Sequence, residues 1–236
     1  FSLAKICRID DDGVEFQSPV DGARVAFTPE RVMAIEEALG PDVAMPLDQP
    51  AGWPTTGKAS LLAEERSRDS VRRTLDWAAR SKRAHTRSDQ ALFGIVQGSV
   101  FPDQREFCAK RLAEMDFPGY AVGGLCLGEG ATRMTETLDA TTPHLPEDRP
   151  RYLMGAGPPE DLLAAIERGI DLFDCVLPTR NGRTGHAFTC RGIVRLRNAV
   201  HREDAGPLDP ECACVAFRRF SRGYLRTLFQ AVEVLG

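Results

Sequence analysis

A chain of 236 residues, 42% hydrophobic and 27% charged, can bury a substantial core, which excludes a disordered segment and leaves room for one large or two small globular domains. No run reaches the roughly 18 apolar residues of a membrane span, and the start FSLAKICRID lacks the order of a signal peptide, so a cytoplasmic protein without membrane association is expected. The net charge of -4 is unevenly spread: ten arginines face four acids between Arg180 and Arg226, which reads either as a phosphate-backbone footprint or as a solvated basic surface.

In chain order, the turn-rich segment 9–27, with DDDG and a later DG, reads as a hairpin-like insertion. Thr28-Pro29-Glu30 is a helix start, and Val32, Ile35 and Leu39 continue it to a stop at Gly40. Val43–Asp48, Leu92–Gly98, Tyr120–Leu125, Tyr152–Gly157 and Leu172–Leu177 are short apolar runs without alternation, as expected of strands covered on both faces. Between them Asp103–Met115, Thr132–Leu138 and Pro159–Arg168 read as helices, the last through Leu162, Leu163 and Ile166. Alternating strands and helices predict an α/β protein with a parallel sheet, open or closed. After Arg183 the alternation fails. A compact unit containing Cys212-Ala213-Cys214 then precedes a helix over Arg219–Val234. The seven cysteines are an odd, scattered set that suits reduced thiols.

In such folds, function belongs at the carboxyl ends of the strands. The residues there are Asp48, Gln97, Gly123-Gly124, Met154-Gly155 and Asp174. Two carboxylates at one mouth suit cleavage or exchange of a glycosidic bond, one attacking the anomeric carbon. An Asp at a strand end also serves as a plain loop cap. Asp174 stands out because Phe173, Val176 and Leu177 surround it, predicting a half-buried carboxylate followed by a flexible basic loop with Arg180 and Arg183. Gln97 offers donor and acceptor groups to a flat heterocycle, and Gly123-Gly124 permits close backbone approach or simply ends a strand. Cys212-x-Cys214 is half of a possible zinc site. A barrel glycosidase is the competing reading, but Gln and Gly-Gly stand where sugar-stacking aromatics are needed.

FGIVQGS (93–99), YAVGGLCLGEG (120–130), YLMGAGPPEDLLAAIERGIDLFDCVLPTRNGRTGHAFT (152–189), PLDPECAC (207–214) and FSRGYLRTLFQAVEVLG (220–236) together resemble the tRNA-guanine transglycosylase family, also called queuine tRNA-ribosyltransferases. The resemblance spans nearly the whole chain. It implies a (β/α)8 TIM barrel, incomplete here, over 1–189, and an inserted zinc-binding-type subdomain over 190–236 that grips tRNA. The implied reaction replaces guanine at the anticodon wobble position with the small deazaguanine preQ1, in queuosine biosynthesis. By motif, Asp174 is the nucleophile that holds the ribose; Asp48, Gln97, Gly124 and Leu125 bind the base, and Met154 stacks on it. Arg180 and Arg183 contact the anticodon nucleotides. Leu127, a medium aliphatic residue, suits preQ1 rather than bulky queuine. Bacterial relatives also imply a homodimer.

The departures are specific. The family's Asp-Ser-Gly-Gly motif, with a second aspartate, falls ahead of Phe1 by the resemblance, so the chain as given is expected to be inactive or nearly so. Pro50 stands where bacterial members have a cysteine. The zinc pattern Cys-x-Cys-x-x-Cys with a later His is broken by Phe217, and Cys190 and His201 do not match it. Zinc occupancy is therefore in question. His186 stands in the family's Gly-Gln-Ala-Phe and reads as a tolerated surface change. An incomplete portion of an ordinary enzyme and a non-catalytic RNA-binding relative both remain open readings.

Overall fold

The computed structural model describes residues 7–52 and 61–231, with the side chains of Leu61, Ala216 and Phe217 excepted. Three strands come first, β1 (Cys7–Ile9), β2 (Val14–Gln17) and β3 (Arg24–Phe27), paired antiparallel in that order. The acidic turn between β1 and β2 closes because Asp10 Oδ1 accepts from the amides of Asp12 (3.0 Å) and Gly13 (3.2 Å). The hairpin-like reading of 9–27 thus gains a strand on its N-terminal side.

Helix α1 (Pro29–Leu39) begins as its caps dictate. Thr28 Oγ1 accepts from Arg31 N at 3.2 Å, and Gly40 takes the left-handed conformation (φ 71°) that ends the helix. Its buried residues are Pro29 and Met33 rather than the predicted stripe, and Leu39 is 75% exposed. Only a narrow face of α1 meets the core, so apolar spacing overestimated its burial.

The next strands, β4 (Val43–Ala44), β5 (Ala91–Val96), β6 (Gly119–Val122), β7 (Arg151–Leu153) and β8 (Leu172–Phe173), coincide with the five apolar runs. They form one parallel sheet in sequential order, with no reversal. That is the winding of a barrel wall, not of a doubly wound sheet, whose order reverses at a switch point. Helices α2 (Leu61–Ala84), α3 (Pro102–Glu114), α4 (Ala131–Asp139) and α5 (Pro159–Ile166) connect the strands. Leu92, Val96, Tyr120, Val122 and Leu153 of the strands share one core with Val71, Leu112, Leu138 and Ala165 of the helices. In α5 it is Ala165 that turns inward, while Leu163 and Ile166 are 66% and 53% exposed.

The 24-residue α2 lies in a segment where no element was expected. Its buried stripe is Ser67, Ser70, Val71, Thr74, Leu75, Ala78 and Ser81, helical in period but with hydroxyl side chains at four of the seven positions. Trp77 is buried beside it and donates from Nε1 to the Asp11 carbonyl at 2.9 Å, tying α2 to the β1–β2 turn. Arg80 adds a two-pronged pair with Glu30 (2.7 and 2.8 Å), which holds the Glu30 carboxyl down at about 2.

Contacts separate two compact units, Phe1–Asp174 and Cys175–Gly236, a division fifteen residues earlier than the boundary expected after Thr189. The chain leaves the parallel sheet at Asp174. The second unit holds α6 (Leu177–Thr184), the antiparallel pair β9 (His186–Thr189) and β10 (Gly192–Arg195), α7 (Val215–Arg219) and α8 (Arg222–Gln230). Leu196, Leu208 and Phe229 form its small core. The expected flexible loop after Asp174 is instead α6, ended by Gly185 in the left-handed conformation (φ 79°).

Candidate active site

All the strand-end residues fall within the first unit. Asp48 lies four residues beyond β4, Gln97 directly follows β5, Gly123-Gly124 follows β6, Met154 follows β7 and Asp174 follows β8. They form two groups, joined where Met154 N donates to the Val122 carbonyl at 3.3 Å.

The first group is Asp48, Gln97 and the glycine pair. Gln97 is 1% exposed and donates from Nε2 to Asp48 Oδ2 at 2.6 Å. Its amide lies against the glycines: a Cβ on Gly123 would stand 2.5 Å from Nε2, and one on Gly124 2.5 Å from Oε1. Gly124 also has φ 71°, so two constraints demand glycine there. Burial pushes the Asp48 carboxyl up to about 6, against the opposing pull of the Gln97 hydrogen bond. Asp48 retains some solvent contact, but protein surrounds its carboxylate on most sides. Leu125 points its side chain into the core, leaving only its backbone for a ligand.

Asp48 is placed by its neighbour. Gln49 N donates to Thr74 Oγ1 (3.1 Å), Ser70 Oγ donates to the Gln49 carbonyl, and Arg73 Nη1 donates to Gln49 Oε1 (2.5 Å). Helix α2 therefore fixes the backbone that carries Asp48.

The second group centres on Asp174. Its Oδ1 accepts from Tyr152 Oη at 2.5 Å and from Gly155 N at 2.8 Å. Among the described residues Oδ2 accepts no hydrogen bond. One oxygen of the carboxylate is thus held and the other is not. Asp174 is exposed, not half-buried as its neighbours suggested: β8 is two residues long and its Leu172 also faces solvent (42%). Tyr152 keeps its proton more tightly than a free phenol, first through burial and then through its bond to Asp174. It remains the donor across the neutral range.

Beyond Leu125 the chain turns through Cys126 at φ 61°, and Glu129 accepts from Cys126 N (2.5 Å) and Leu127 N (2.8 Å). This carboxylate grips the wall next to Gly124.

In the second unit Arg180 and Arg183 are exposed on α6. Of the ten arginines expected on a basic face, two serve the interior instead. Arg226 is buried and bonds the Asn198 carbonyl (3.0 Å), and Arg222 pairs with Asp204 (3.1 Å). His186 contacts Thr184 Oγ1 through Nδ1 (3.0 Å). Cys190 Sγ lies 3.2 Å from Asp209 Oδ1, which raises the thiol pKa. Among the described residues no three His, Cys, Asp or Glu side chains converge on one point. Cys212 and Cys214 offer two of the four ligands that a closed zinc site takes. The side chain of Phe217 lies outside the described residues.

A sequence model described as "Queuine tRNA-ribosyltransferase" matches residues 1–236. The chain belongs to the queuine tRNA-ribosyltransferase family. Members named queuine tRNA-ribosyltransferase from Desulforamulus reducens and from Caldanaerobacter subterraneus subsp. tengcongensis are each 50% identical over 236 residues. These matches cover all of this chain and 62% and 61% of the two relatives. A third, from Syntrophobacter fumaroxidans, is 50% identical over 235 residues, covering 61% of its length. The chain thus spans about three fifths of the queuine tRNA-ribosyltransferases it matches.

Within this member of the queuine tRNA-ribosyltransferase family, Gln49, Tyr152 and Glu129 hold the strand-end residues or their neighbours, and sequence reasoning missed them. Tyr152 opens an apolar run and reads there as core. For Gln49 the available signal was the helical period of small hydroxyl residues in 67–81, which implies a partner for their side chains.

Proposed function

We propose that the protein carrying this chain exchanges guanine for preQ1 in a tRNA anticodon loop. The sheet described above is then part of a (β/α)8 barrel. What supports this reading is the convergence, at consecutive strand ends, of a recessed Asp48–Gln97–Gly124 group and an exposed, half-engaged Asp174. A flat base fits the first group, where a carboxylate and an amide meet bare backbone; a ribose on a large polymer can reach the second.

In the first displacement Asp174 Oδ2 bonds the ribose anomeric carbon as the bond to guanine breaks. The base leaves with the electron pair and takes up a proton. In the second, the ring nitrogen of preQ1 loses a proton and bonds the same carbon as the Asp174 ester opens. Tyr152 and Gly155 hold Oδ1 so that Oδ2 faces the sugar, and Met154 borders the base.

Unmodified tRNA incubated with labelled guanine should take up label, and preQ1 should suppress that uptake. A folded protein that binds tRNA yet incorporates neither base overturns the reading. Tyr152→Phe should lower kcat by roughly tenfold, the worth of one hydrogen bond to a charged group, with base KM unchanged. A kcat within twofold of the parent would remove Tyr152 from the orienting role.

Arg180→Ala and Arg183→Ala should each weaken tRNA binding. Each should also reduce the slope of log K against log salt by about 0.7, the value for one single-strand phosphate contact. An unchanged slope would rule out such contacts.

A further inference from the structure

Arg105 of α3 is 0% exposed and pairs with no carboxylate among the described residues. A buried guanidinium is costly unless its N–H groups are engaged. Here Nε donates to the Ser99 carbonyl (2.7 Å), and Nη1 donates to those of Val96 (3.0 Å) and Gly123 (2.8 Å). Those carbonyls flank the base site, since Val96 precedes Gln97 and Gly123 precedes Gly124. The remaining nitrogen, Nη2, is buried without a protein partner, and so is Gln97 Oε1. Both approach one spot: a Cβ on Gly124 would lie 3.5 Å from Nη2 and 2.5 Å from Oε1.

We propose that Arg105 is a positioning residue for base exchange: it ties the Gln97 strand end to the Gly123-Gly124 turn and orients the Gln97 amide. The inference rests on Asp48 and Gln97 being the base-binding pair. A buried cation attracts the oxygen end of a nearby amide dipole, which turns the NH2 end away, and Gln97 Nε2 does meet Asp48. Burial lowers the Arg105 pKa only to about 10, so the group stays charged at neutral pH. A lysine ammonium cannot reach three carbonyls in the planar fork that arginine spans.

The test compares Arg105→Lys, Gln97→Ala and the double variant in the protein carrying this chain. Arg105→Lys should raise the base KM about tenfold, as expected for a misoriented binding group, and leave the tRNA KM within twofold. Because it acts through Gln97, the double variant should be no worse than Gln97→Ala alone. A change in Tm with an unaltered base KM, or effects that multiply in the double variant, would overturn the proposal.

If Arg105→Lys does not fold, arginine-labelled protein gives an independent reading. The Arg105 Nε–H resonance should shift in Gln97→Ala, and its constancy would equally overturn the proposal. If Gln97→Ala leaves the base KM unchanged, the base-site reading itself fails and takes the Arg105 proposal with it.

Discussion

Replacing Asp174 by Asn should lower base exchange by roughly 10⁴-fold or more, the scale on which loss of a nucleophile acts, while tRNA binding stays near the parent value. The substitution keeps an oxygen to accept from Tyr152 and Gly155, so the fold around β8 should hold. What is lost is the anionic oxygen that attacks in the proposed reaction. The check is a denaturing gel of protein mixed with tRNA. The parent should show a covalent protein–RNA band that free base dissolves, and Asp174→Asn should show none. A band of equal strength in the variant would assign the covalent link to another residue.

Asp48 should give the second large effect, and its sign depends on pH. The carboxyl has its ordinary value of 3.8 unfolded and about 6 folded. Below pH 3.8 it is protonated in both states and its burial carries no ionic penalty. As pH rises towards 6 the unfolded chain ionises first, so folding loses stability, and above 6 the loss is constant at roughly 3 kcal/mol. Asp48→Asn removes that loss and still accepts from Gln97. Its Tm should exceed the parent's at pH 8 and match it at pH 4. An equal gain at both values would mean that the carboxyl is not raised.

The same substitution should raise the base KM by roughly 10- to 100-fold, since a charged acceptor is replaced by a neutral one. In the parent, the base KM should climb as pH falls below about 6, where Asp48 takes up its proton.

Much of the scaffold was legible. The buried strands β5 and β6 read as unbroken apolar runs, whereas β4 and β8, which read the same way, expose Val43 and Leu172; Thr28, Pro29 and Gly40 mark the ends of α1 by chemistry that acts locally. Helix α2 was not legible, because Ser67, Ser70, Thr74 and Ser81 do on its inner face what aliphatic residues usually do. Helix α6 was hidden by Pro178 and Gly182, which serve as turn signals elsewhere but here sit in a helix whose end is set by Gly185.

The site divides the same way. Asp48, Gln97, Gly124 and Asp174 follow from the strand-end rule and from family resemblance. The groups that orient them do not, since Gln49 meets α2 across 21 to 25 residues and Tyr152 meets Asp174 across 22. The depth of Asp174 was misjudged because apolar neighbours in sequence do not cover a residue at the end of a two-residue strand.

The sequential order of the parallel sheet also bears on how the molecule is made. As the chain leaves the ribosome, each strand from β5 onward meets a neighbour already synthesised, so the wall can grow by docking one strand–helix unit at a time. Asp48, Gln97 and Gly124 are synthesised before Asp174. If Asp48 and Gln97 hold the base and Asp174 attacks the sugar, as proposed, a nascent chain that has docked its strands in this order passes through a stage that can hold a base but cannot touch a sugar.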